Sequence, residues 1–309
     1  MTDDTTPVVL PTEDRVSSLP EGLTEMGRHE GKDGPITLYG LAGEPLVTTE
    51  TWKLFAAGLP NGQLGLMMIA TSADQNPYLD WAEYMIATMQ ELAARLNTES
   101  ATAEFAPNYD AFFPRVIEHI DTDDGRVALV LGYHPVVSTY KELRPLSAVL
   151  GDHRTDLKSV MWMLGKSLKL ADFFHSTGCT IGNISADNLF VCTETHGVFY
   201  LDMIDANEDM SAAECREEIS QIARVAWMAA GGTDTTEPPY DSDIMTADQH
   251  RAFVDNLKRM MDGKVESART EFDRLYALND EIWPKVLIEG GANSRGQTHK
   301  RQWHPFRLL

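Results

Sequence analysis

The sequence predicts an α+β fold, with an antiparallel sheet part first and a mostly helical part after it. Short apolar runs bounded by turn residues recur between residues 36 and 131, which is typical of strands. Residues 157 to 174 carry apolar side chains at helical spacing, which indicates an amphipathic helix. More polar helical patterns follow at 246 to 261 and at 265 to 279, and these are typical of surface helices.

The sheet part contains five predicted strands and one helix. The predicted strands cover residues 36–41, 52–56, 65–70, 115–120 and 126–131. The helix is predicted from Trp81 to Leu96, with one apolar side that contains Ala82, Met85, Ile86, Met89, Leu92 and Leu96. The turn sequence Asp-Thr-Asp-Asp-Gly at 121–125 joins the last two strands as a hairpin.

The most informative stretch lies between residues 173 and 206. The helical pattern ends in Phe-Phe-His-Ser-Thr-Gly, and a loop follows in which Asn183 and Asn188 are five residues apart. Two apolar runs, at 188–192 and 197–201, then predict a hairpin that ends at Asp202. Taken alone, the segment after Asn183 is equally well interpreted as a turn followed by a strand.

This stretch resembles the catalytic centre of the protein-kinase-like fold. In that family, a helix ending in Leu-His-Ser-x-Gly leads into a catalytic loop in which an Asp is followed five residues later by an Asn, and a hairpin then delivers a metal-binding Asp. The resemblance places Asn183 at the position of the catalytic base, and Asn188 and Asp202 at the positions of the magnesium ligands. It implies a two-lobed fold similar to divergent bacterial or phage serine/threonine kinase-like proteins.

The residue types at these positions suit only part of the kinase reaction. A carboxamide such as Asn188 and a carboxylate such as Asp202 are oxygen ligands suited to Mg2+. Asn183 can hydrogen-bond a hydroxyl group but cannot take its proton at neutral pH, and general-base help is worth about 10²–10⁴-fold. The pattern therefore predicts a kinase-like chain that kept part of its metal site and lost its base.

The resemblance also assigns positions in the sheet part, where kinases pair a strand lysine with a helix glutamate. With Asn76 and Glu83 as anchors, Met68 falls at the lysine position, so Glu83 lacks its usual ammonium partner. As an apolar residue on a strand, Met68 is also well explained as ordinary core. Lys53, on the preceding strand, is the nearby alternative.

The segment at the position of the glycine-rich phosphate loop has few of the glycines that such a loop needs. The segment 43–50 keeps one early glycine, Gly43, and continues with bulky and acidic residues. Glu44 and Glu50 would repel a triphosphate.

Downstream, residues 217 to 228 predict a buried helix at the place where the family has a buried Asp, here Glu217 or Glu218. Only about a dozen residues separate it from Asp202, and no Ala-Pro-Glu anchor is present, so the substrate docking of ordinary protein kinases is not expected. The resemblance covers roughly residues 36 to 309.

Composition excludes several classes of function. The formal net charge of -21 argues against nonspecific nucleic-acid binding, which requires Lys and Arg at phosphates. No apolar run approaches the roughly 20 residues of a membrane span, and the acidic N-terminus does not resemble a signal peptide. Three cysteines, without metal or disulfide spacing, predict a cytoplasmic location. The basic segment 295–307 is expected either to fold back on the acidic surface of the protein or to contact an anionic partner, and Trp303 and Phe306 favour folding back as anchors.

The expected organisation is a flexible acidic leader over residues 1–33, a kinase-like N-lobe over 34–131 and a kinase-like C-lobe over 132–309. The leader is rich in Thr, Asp, Glu, Pro and Gly, which is typical of flexible segments.

Three functional hypotheses follow. The first is a pseudokinase that regulates or scaffolds a protein partner, with weak or absent binding of ATP and Mg2+ and no efficient phosphotransfer. The second is an atypical ATP-dependent phosphotransferase or nucleotidyltransferase that uses Asn188 and Asp202 as magnesium ligands. The third is an interaction protein unrelated to kinases. The first places its degenerate base at Asn183, its degenerate lysine at Met68, and the remaining nucleotide-site positions at Gly43 and Glu83.

Overall fold

A computed structural model gives the structure of the protein. It describes residues 22–99, 109–132, 144–193, 197–284, 286–289, 297–300 and 304–309. The predicted α+β class is confirmed, because an antiparallel sheet part precedes a mostly helical part. None of the helices in these ranges has the length and apolarity needed to cross a bilayer.

The chain forms two compact units. The first contains the residues up to Glu83 together with Pro114–Glu142. The second contains Tyr84–Phe113 and Leu143–Leu309.

An antiparallel sheet forms the first unit. Its strands are β1 (Leu23–Gly31), β2 (Gly34–Leu41), β3 (Val47–Thr48), β4 (Trp52–Gly58), β5 (Leu64–Ala70), β6 (Arg115–Asp121) and β7 (Val127–Gly132). The strand order is β1-β2-β4-β5-β7-β6, and β3 pairs with β4 outside this path. The five predicted strands are confirmed as β2, β4, β5, β6 and β7.

Both faces of the central strands are buried. Met68 pairs with Leu54 on one side and Leu129 on the other, and these three residues share one face. Met67 projects from the opposite face, where it belongs to a second apolar core. The other members of this core are Ile36, Leu38, Ala57, Leu59, Ile69, Ala128 and Val130. Burial on both faces explains why residues 64–70 form a continuous apolar run without polar alternation.

The sheet curls so that its outer strands approach each other. The backbone N–H of Lys32, in the turn between β1 and β2, donates a hydrogen bond to Glu118 Oε1 of β6 at 2.6 Å. The two strands belong to opposite edges of the sheet.

Strand β1 lies within the segment predicted as a flexible leader, and that prediction is wrong for Leu23–Gly31. The strand pairs with β2 along its length. Its sequence is rich in charged residues because much of it is exposed, and this concealed the strand pattern. Residues 1–21 of the predicted leader lie outside the described residues.

Helix α1 (Asn76–Glu99) confirms the predicted helix and begins five residues before it. Asn76 anchors its start, because its side chain accepts from Val127 N at 2.8 Å and donates to Gly125 O at 2.9 Å. The buried side of the helix contains Leu79, Ala82, Met85, Ile86, Met89 and Ala93.

From Tyr84 onward, α1 belongs to the second unit, whereas the predicted domain boundary placed the whole helix in the N-lobe. Its side chains explain the assignment. Tyr84 donates to Glu208 Oε1 at 2.8 Å, and Gln90 donates to Phe113 O at 3.2 Å.

The second unit is mostly helical. Its helices are α2 (Leu146–Leu150), α3 (Leu157–Ser176), α4 (Ala212–Ala229), α5 (Ala247–Met261) and α6 (Ala268–Ile282). Its strands are β8 (Arg144–Pro145), β9 (Leu189–Cys192), β10 (Gly197–Tyr200), β11 (Val286–Glu289) and β12 (Gln297–Lys300). The predicted hairpin is confirmed as β9 and β10, and β8 extends it to a three-stranded sheet.

Polar side chains fix the helix starts. Ser211 and Thr246 form capping boxes at α4 and α5, and Ser267 caps α6. Asp156 caps α3, with its Oδ1 accepting from Lys158 N at 2.9 Å and from Ser159 N at 3.1 Å.

Residues 304–309 at the end of the chain fold back onto the start of α3, which agrees with the folding-back alternative for this part of the basic tail. Asp156 N donates to Arg307 O at 3.1 Å, and Thr155 Oγ1 donates to the same oxygen at 2.8 Å. His304 Nε2 lies 3.0 Å from Asp156 Oδ1. Residues 295–296 and 301–303 of the tail lie outside the described residues.

We expect Asp156→Ala to lower the free energy of unfolding by about 2–4 kcal/mol, because it removes a buried helix cap together with the contact to His304. Urea unfolding followed by circular dichroism measures the loss. Ser211→Ala is the matched control, since it removes an exposed cap and should cost only about 1 kcal/mol. Equal losses for the two variants would contradict the role of Asp156 in holding the tail.

Candidate functional site

The loop between α3 and β9 is held by a buried carboxylate from α4. Glu218 Oε1 accepts hydrogen bonds from Ile181 N at 2.7 Å and from Gly182 N at 2.9 Å. Its other oxygen lies 2.8 Å from His175 Nε2, at the end of α3. Of the two acids that the sequence offered for this role, Glu218 is buried and Glu217 is exposed. The contact fixes the backbone that leads into Asn183.

Gly182 brings this loop against the segment that follows Asp202. Its φ of +95° lies in the left-handed region, and a Cβ atom there would lie 2.4 Å from the carbonyl carbon of Asp205. Only glycine fits this approach. Thr180 N adds a hydrogen bond to Asn207 O at 2.9 Å across the same two segments.

Asn188 ties the loop to the end of β10 with its whole carboxamide. Its nitrogen donates to Asn183 O at 2.6 Å and to Asp202 O at 2.9 Å. Its oxygen accepts from Leu201 N at 3.1 Å and from Asp202 N at 2.6 Å. These partners are all backbone groups, so they fix which end of the carboxamide is oxygen.

The side chains of Asn183 and Asp202 are in contact next to the Asn188 carboxamide. Asn183 Nδ2 donates to Asp202 Oδ2 at 3.3 Å. The other carboxylate oxygen of Asp202 accepts from Ile204 N at 2.9 Å, and the side chain is buried. The structure thus brings together the three residues that the sequence predicted for the base and the metal ligands.

The two predicted magnesium ligands, Asp202 and Asn188, differ in how well their oxygen atoms suit a magnesium ion. A carboxylate such as that of Asp202 is a hard, charged oxygen donor of the type that Mg2+ prefers, so Asp202 suits a cation ligand by residue type. The oxygen of Asn188 already accepts two backbone hydrogen bonds, which occupy both of its lone pairs. In this arrangement Asn188 is a structural tie, and it would have to turn away from its backbone partners to bind a metal ion.

Sequence reasoning missed Ser185, two residues after Asn183. Its hydroxyl oxygen accepts from Asn188 N at 3.2 Å, and its carbonyl accepts from Leu189 N at 2.9 Å. This turn delivers Asn188 to its backbone partners. A Ser followed closely by Asp and Asn is a recognisable turn signal.

In the first unit, the structure places a core residue at the predicted lysine position. Met68 is completely buried on β5 between Leu54 and Leu129. Lys53 does not replace it, because Lys53 precedes Leu54 on β4 and therefore projects from the opposite face of the sheet.

Glu83 has a histidine partner that the sequence did not indicate. Its Oε2 lies 2.7 Å from His119 Nδ1 of β6. Partial burial lowers the pKa of His119, but the hydrogen bond and charge of Glu83, with Asp121 and Asp80, outweigh it and raise that pKa above its ordinary value. Ligand atoms of Asp80, Glu83 and His119 lie within 4.8 Å of one another. We interpret this group as a hydrogen-bonded carboxylate–imidazole pair, because the imidazole nitrogen facing Glu83 is already hydrogen-bonded.

Gly43 serves a tight turn after β2. It has a φ of +84°, and the turn is closed by hydrogen bonds between Leu41 and Glu44 in both directions, at 2.8 and 3.0 Å. A Cβ atom on Gly43 would meet nothing within 4 Å. The glycine is therefore explained by backbone conformation, and close approach to a neighbouring group is not required.

The fold is that of protein kinases. The structure of vaccinia related kinase 3 matches with a TM-score of 0.54 and 14% identity, over 87% of this chain and 94% of that chain. The BubR1 kinase domain matches with a TM-score of 0.54 and 8% identity, over 86% of this chain and 85% of that chain. No protein-family model and no curated protein matches the sequence. The predicted protein-kinase-like fold is thus confirmed, and these identities speak for the fold alone.

We expect Asn188→Asp to lower the free energy of unfolding by about 3 kcal/mol or more, because it places a carboxylate oxygen against two backbone carbonyls. Thermal and urea unfolding measure the change. Asn61→Asp is the matched control, since Asn61 lies in an exposed turn and should tolerate the substitution. Unchanged stability of Asn188→Asp would mean that the observed carboxamide orientation is wrong.

We expect Glu83→Gln to lower the pKa of His119, because it removes the charge that favours the imidazolium form. NMR titration of the His119 ring protons measures this pKa. With the raised pKa, the pair stabilises the fold most below the ordinary histidine value of about 6.5 and loses this contribution as the pH rises through the raised pKa. Glu91→Gln, exposed on the same helix, should leave the titration unchanged.

Proposed function

We propose that this protein is a pseudokinase, a kinase-like chain that regulates or scaffolds a protein partner without efficient phosphotransfer. One observation carries the proposal. The side chains that would handle Mg–ATP and the substrate hydroxyl are instead bonded to one another and to the backbone.

The base position supports the proposal most directly. Phosphoryl transfer to a hydroxyl group gains from a positioned group that accepts the proton. Asn183 is uncharged, and its amide nitrogen donates to Asp202. A side chain that donates to the neighbouring carboxylate is suited to hold that carboxylate in place, and it cannot deprotonate a substrate.

The positions that would bind ATP and Mg2+ are also poorly suited to that role. A magnesium ion would be held by Asp202, with Asn188 engaged by the backbone amides of Leu201 and Asp202. The lysine position holds Met68, in the core of the sheet. Weak or absent binding of ATP and Mg2+ is the consequence we propose, because a single buried carboxylate offers a cation few ligands.

A chain that keeps the kinase-like fold but lacks efficient phosphotransfer is suited to binding a partner. The loop around Asn183 is fully supported by Glu218 and Asn188, so the fold presents a stable surface. We propose a protein partner and not a nucleic acid, because a net charge of -21 repels phosphates. We propose a reducing, cytoplasmic setting, since the three cysteines are free.

The retained Asp202 favours a second candidate, an atypical ATP-dependent phosphotransferase or nucleotidyltransferase. Its carboxylate stands within hydrogen-bond distance of Asn183 and is suited to a cation. In that case Asn188 would turn its oxygen toward the metal ion on binding.

We expect ATP, with or without Mg2+, to leave the melting temperature of the wild type unchanged at millimolar nucleotide. A ligand at 100 times its Kd would stabilise the native state by about 2.7 kcal/mol, so a null result sets a lower limit on Kd. Asp202→Ala and the exposed control Asp205→Ala are measured alongside.

Transfer of labelled phosphate from γ-labelled ATP and of labelled AMP from α-labelled ATP is assayed on the same preparations. Transfer that disappears in Asp202→Ala and persists in Asp205→Ala would replace the pseudokinase proposal with the second candidate. Magnesium-dependent stabilisation without transfer would leave a pseudokinase that binds nucleotide.

A further inference from the structure

A histidine and two carboxylates converge within the first unit. Asp80 and Glu83 lie on α1, His119 lies on β6, and all three residues belong to that unit. One ligand atom of each residue lies within 4.8 Å of the ligand atoms of the other two. Imidazole nitrogen and carboxylate oxygen are ligands that Zn2+ takes in proteins, so the group has the composition of a zinc site.

The local structure explains why these side chains meet. Asp80 and Glu83 are three residues apart on α1, so they project from the same side of the helix. The start of the helix is tied to the β6–β7 hairpin, because the Asn76 side chain makes two hydrogen bonds to its backbone, at 2.8 and 2.9 Å. His119 lies on β6 of the same hairpin. The ligands are therefore carried by two elements that other contacts hold together.

The distances allow one ion to reach all three residues. Two ligands of a tetrahedral zinc ion, each about 2.1 Å from the metal, lie about 3.4 Å apart. His119 Nδ1 and Glu83 Oε2 are 2.7 Å apart, so this pair would open by less than about 1 Å. The carboxylate of Asp80 would close by about 1.4 Å at most, which rotation of an exposed side chain supplies.

A fourth residue is placed to orient the imidazole ring. His119 Nε2 lies 3.6 Å from Asp121 Oδ1, and the two residues share a face of β6. Histidines that bind a metal ion usually donate their other ring N–H to a carboxylate, which fixes the tautomer that frees the ligating nitrogen. Here Glu83 faces one ring nitrogen and Asp121 faces the other. This arrangement around both nitrogens distinguishes the group from an ordinary cluster of surface acids.

We propose that Asp80, Glu83 and His119 bind one Zn2+ ion, with water at the fourth position and Asp121 orienting the imidazole. The ion takes the place of the proton between His119 Nδ1 and Glu83 Oε2, so two metal bonds replace their hydrogen bond. A neutral ring moves its proton to Nε2, and an imidazolium ring releases one proton to solvent. The site ties α1 to β6, and it goes beyond the proposed pseudokinase role.

The ligand types favour zinc over the hard cations. Mg2+ and Ca2+ take oxygen ligands, whereas an imidazole suits Zn2+ and similar transition ions. A net charge of -21 also attracts any divalent cation to the surface, but that attraction does not require a histidine. His119 is therefore the residue that separates a zinc site from general attraction of cations.

The test titrates Zn2+ into the full chain by isothermal titration calorimetry. We expect saturable binding to the wild type, at least tenfold weaker in His119→Gln and in Asp80→Asn. Asp80→Asn changes an exposed residue and keeps the hydrogen bond between Glu83 and His119, so it carries the test if His119→Gln fails to fold. His153→Gln and Asp74→Asn, which alter exposed residues of the same types, are the matched controls and should bind as the wild type does.

Two further measurements identify the ligands. NMR of the imidazole nitrogens should show Zn2+ on Nδ1 of His119 and, in Asp121→Asn, less of the Nε2–H tautomer, together with about tenfold weaker zinc binding. Co2+ in place of Zn2+ should bind without the charge-transfer absorption of a thiolate ligand, which excludes the cysteines.

Three results would overturn the proposal. The first is no saturable binding of Zn2+ up to about 0.1 mM. The second is zinc binding that His119→Gln and Asp80→Asn leave unchanged. The third is Mg2+ binding as tight as that of Zn2+, which would mean a diffuse attraction of cations to an acidic surface.

Discussion

The candidate site depends on the buried carboxylate of Glu218. Removing a carboxylate from water costs several kcal/mol unless its oxygens are satisfied, and here two backbone amides and His175 satisfy them. The amides belong to the residues immediately before Asn183, so the position of the whole loop follows from one side chain of α4. Gly182 then allows the loop to lie against the segment after Asp202, which completes the support.

The contacts of Asn188 give its kinase-like spacing a structural explanation. Its carboxamide bonds four backbone groups on two segments, the loop at Asn183 and the end of the hairpin at Leu201 and Asp202. A residue with this many buried partners is needed for the fold whether or not a metal ion binds. The five-residue spacing to Asn183 is therefore explained by architecture, and it is weak support for activity.

The sequence predicted what depends on local pattern and missed what depends on distant partners. Periodicity located the central strands, the hairpin β9–β10 and helices α3, α5 and α6, because their buried faces repeat at fixed intervals. It missed β1, whose charged residues are exposed along an outer strand. The start of α1 at Asn76 is set by the distant turn at Gly125, and the partner of Glu83 is 36 residues away, so neither is encoded nearby. The orientation of the Asn188 carboxamide follows only from two segments in contact.

The positions that depart from the kinase pattern are engaged by neighbouring residues, so placing a kinase residue at one of them would disturb its present contacts. A lysine at position 68 would place an ammonium group in the core between Leu54 and Leu129, and Glu83 is already engaged by His119. Lys53 cannot be recruited by a small shift, because neighbouring residues of a strand project from opposite faces and a one-residue slip would expose the core of the sheet. Met68, Glu83 and Asn183, at positions where this chain departs from the kinase pattern, each have local partners of their own, so these positions are explained by packing and hydrogen bonding within the fold.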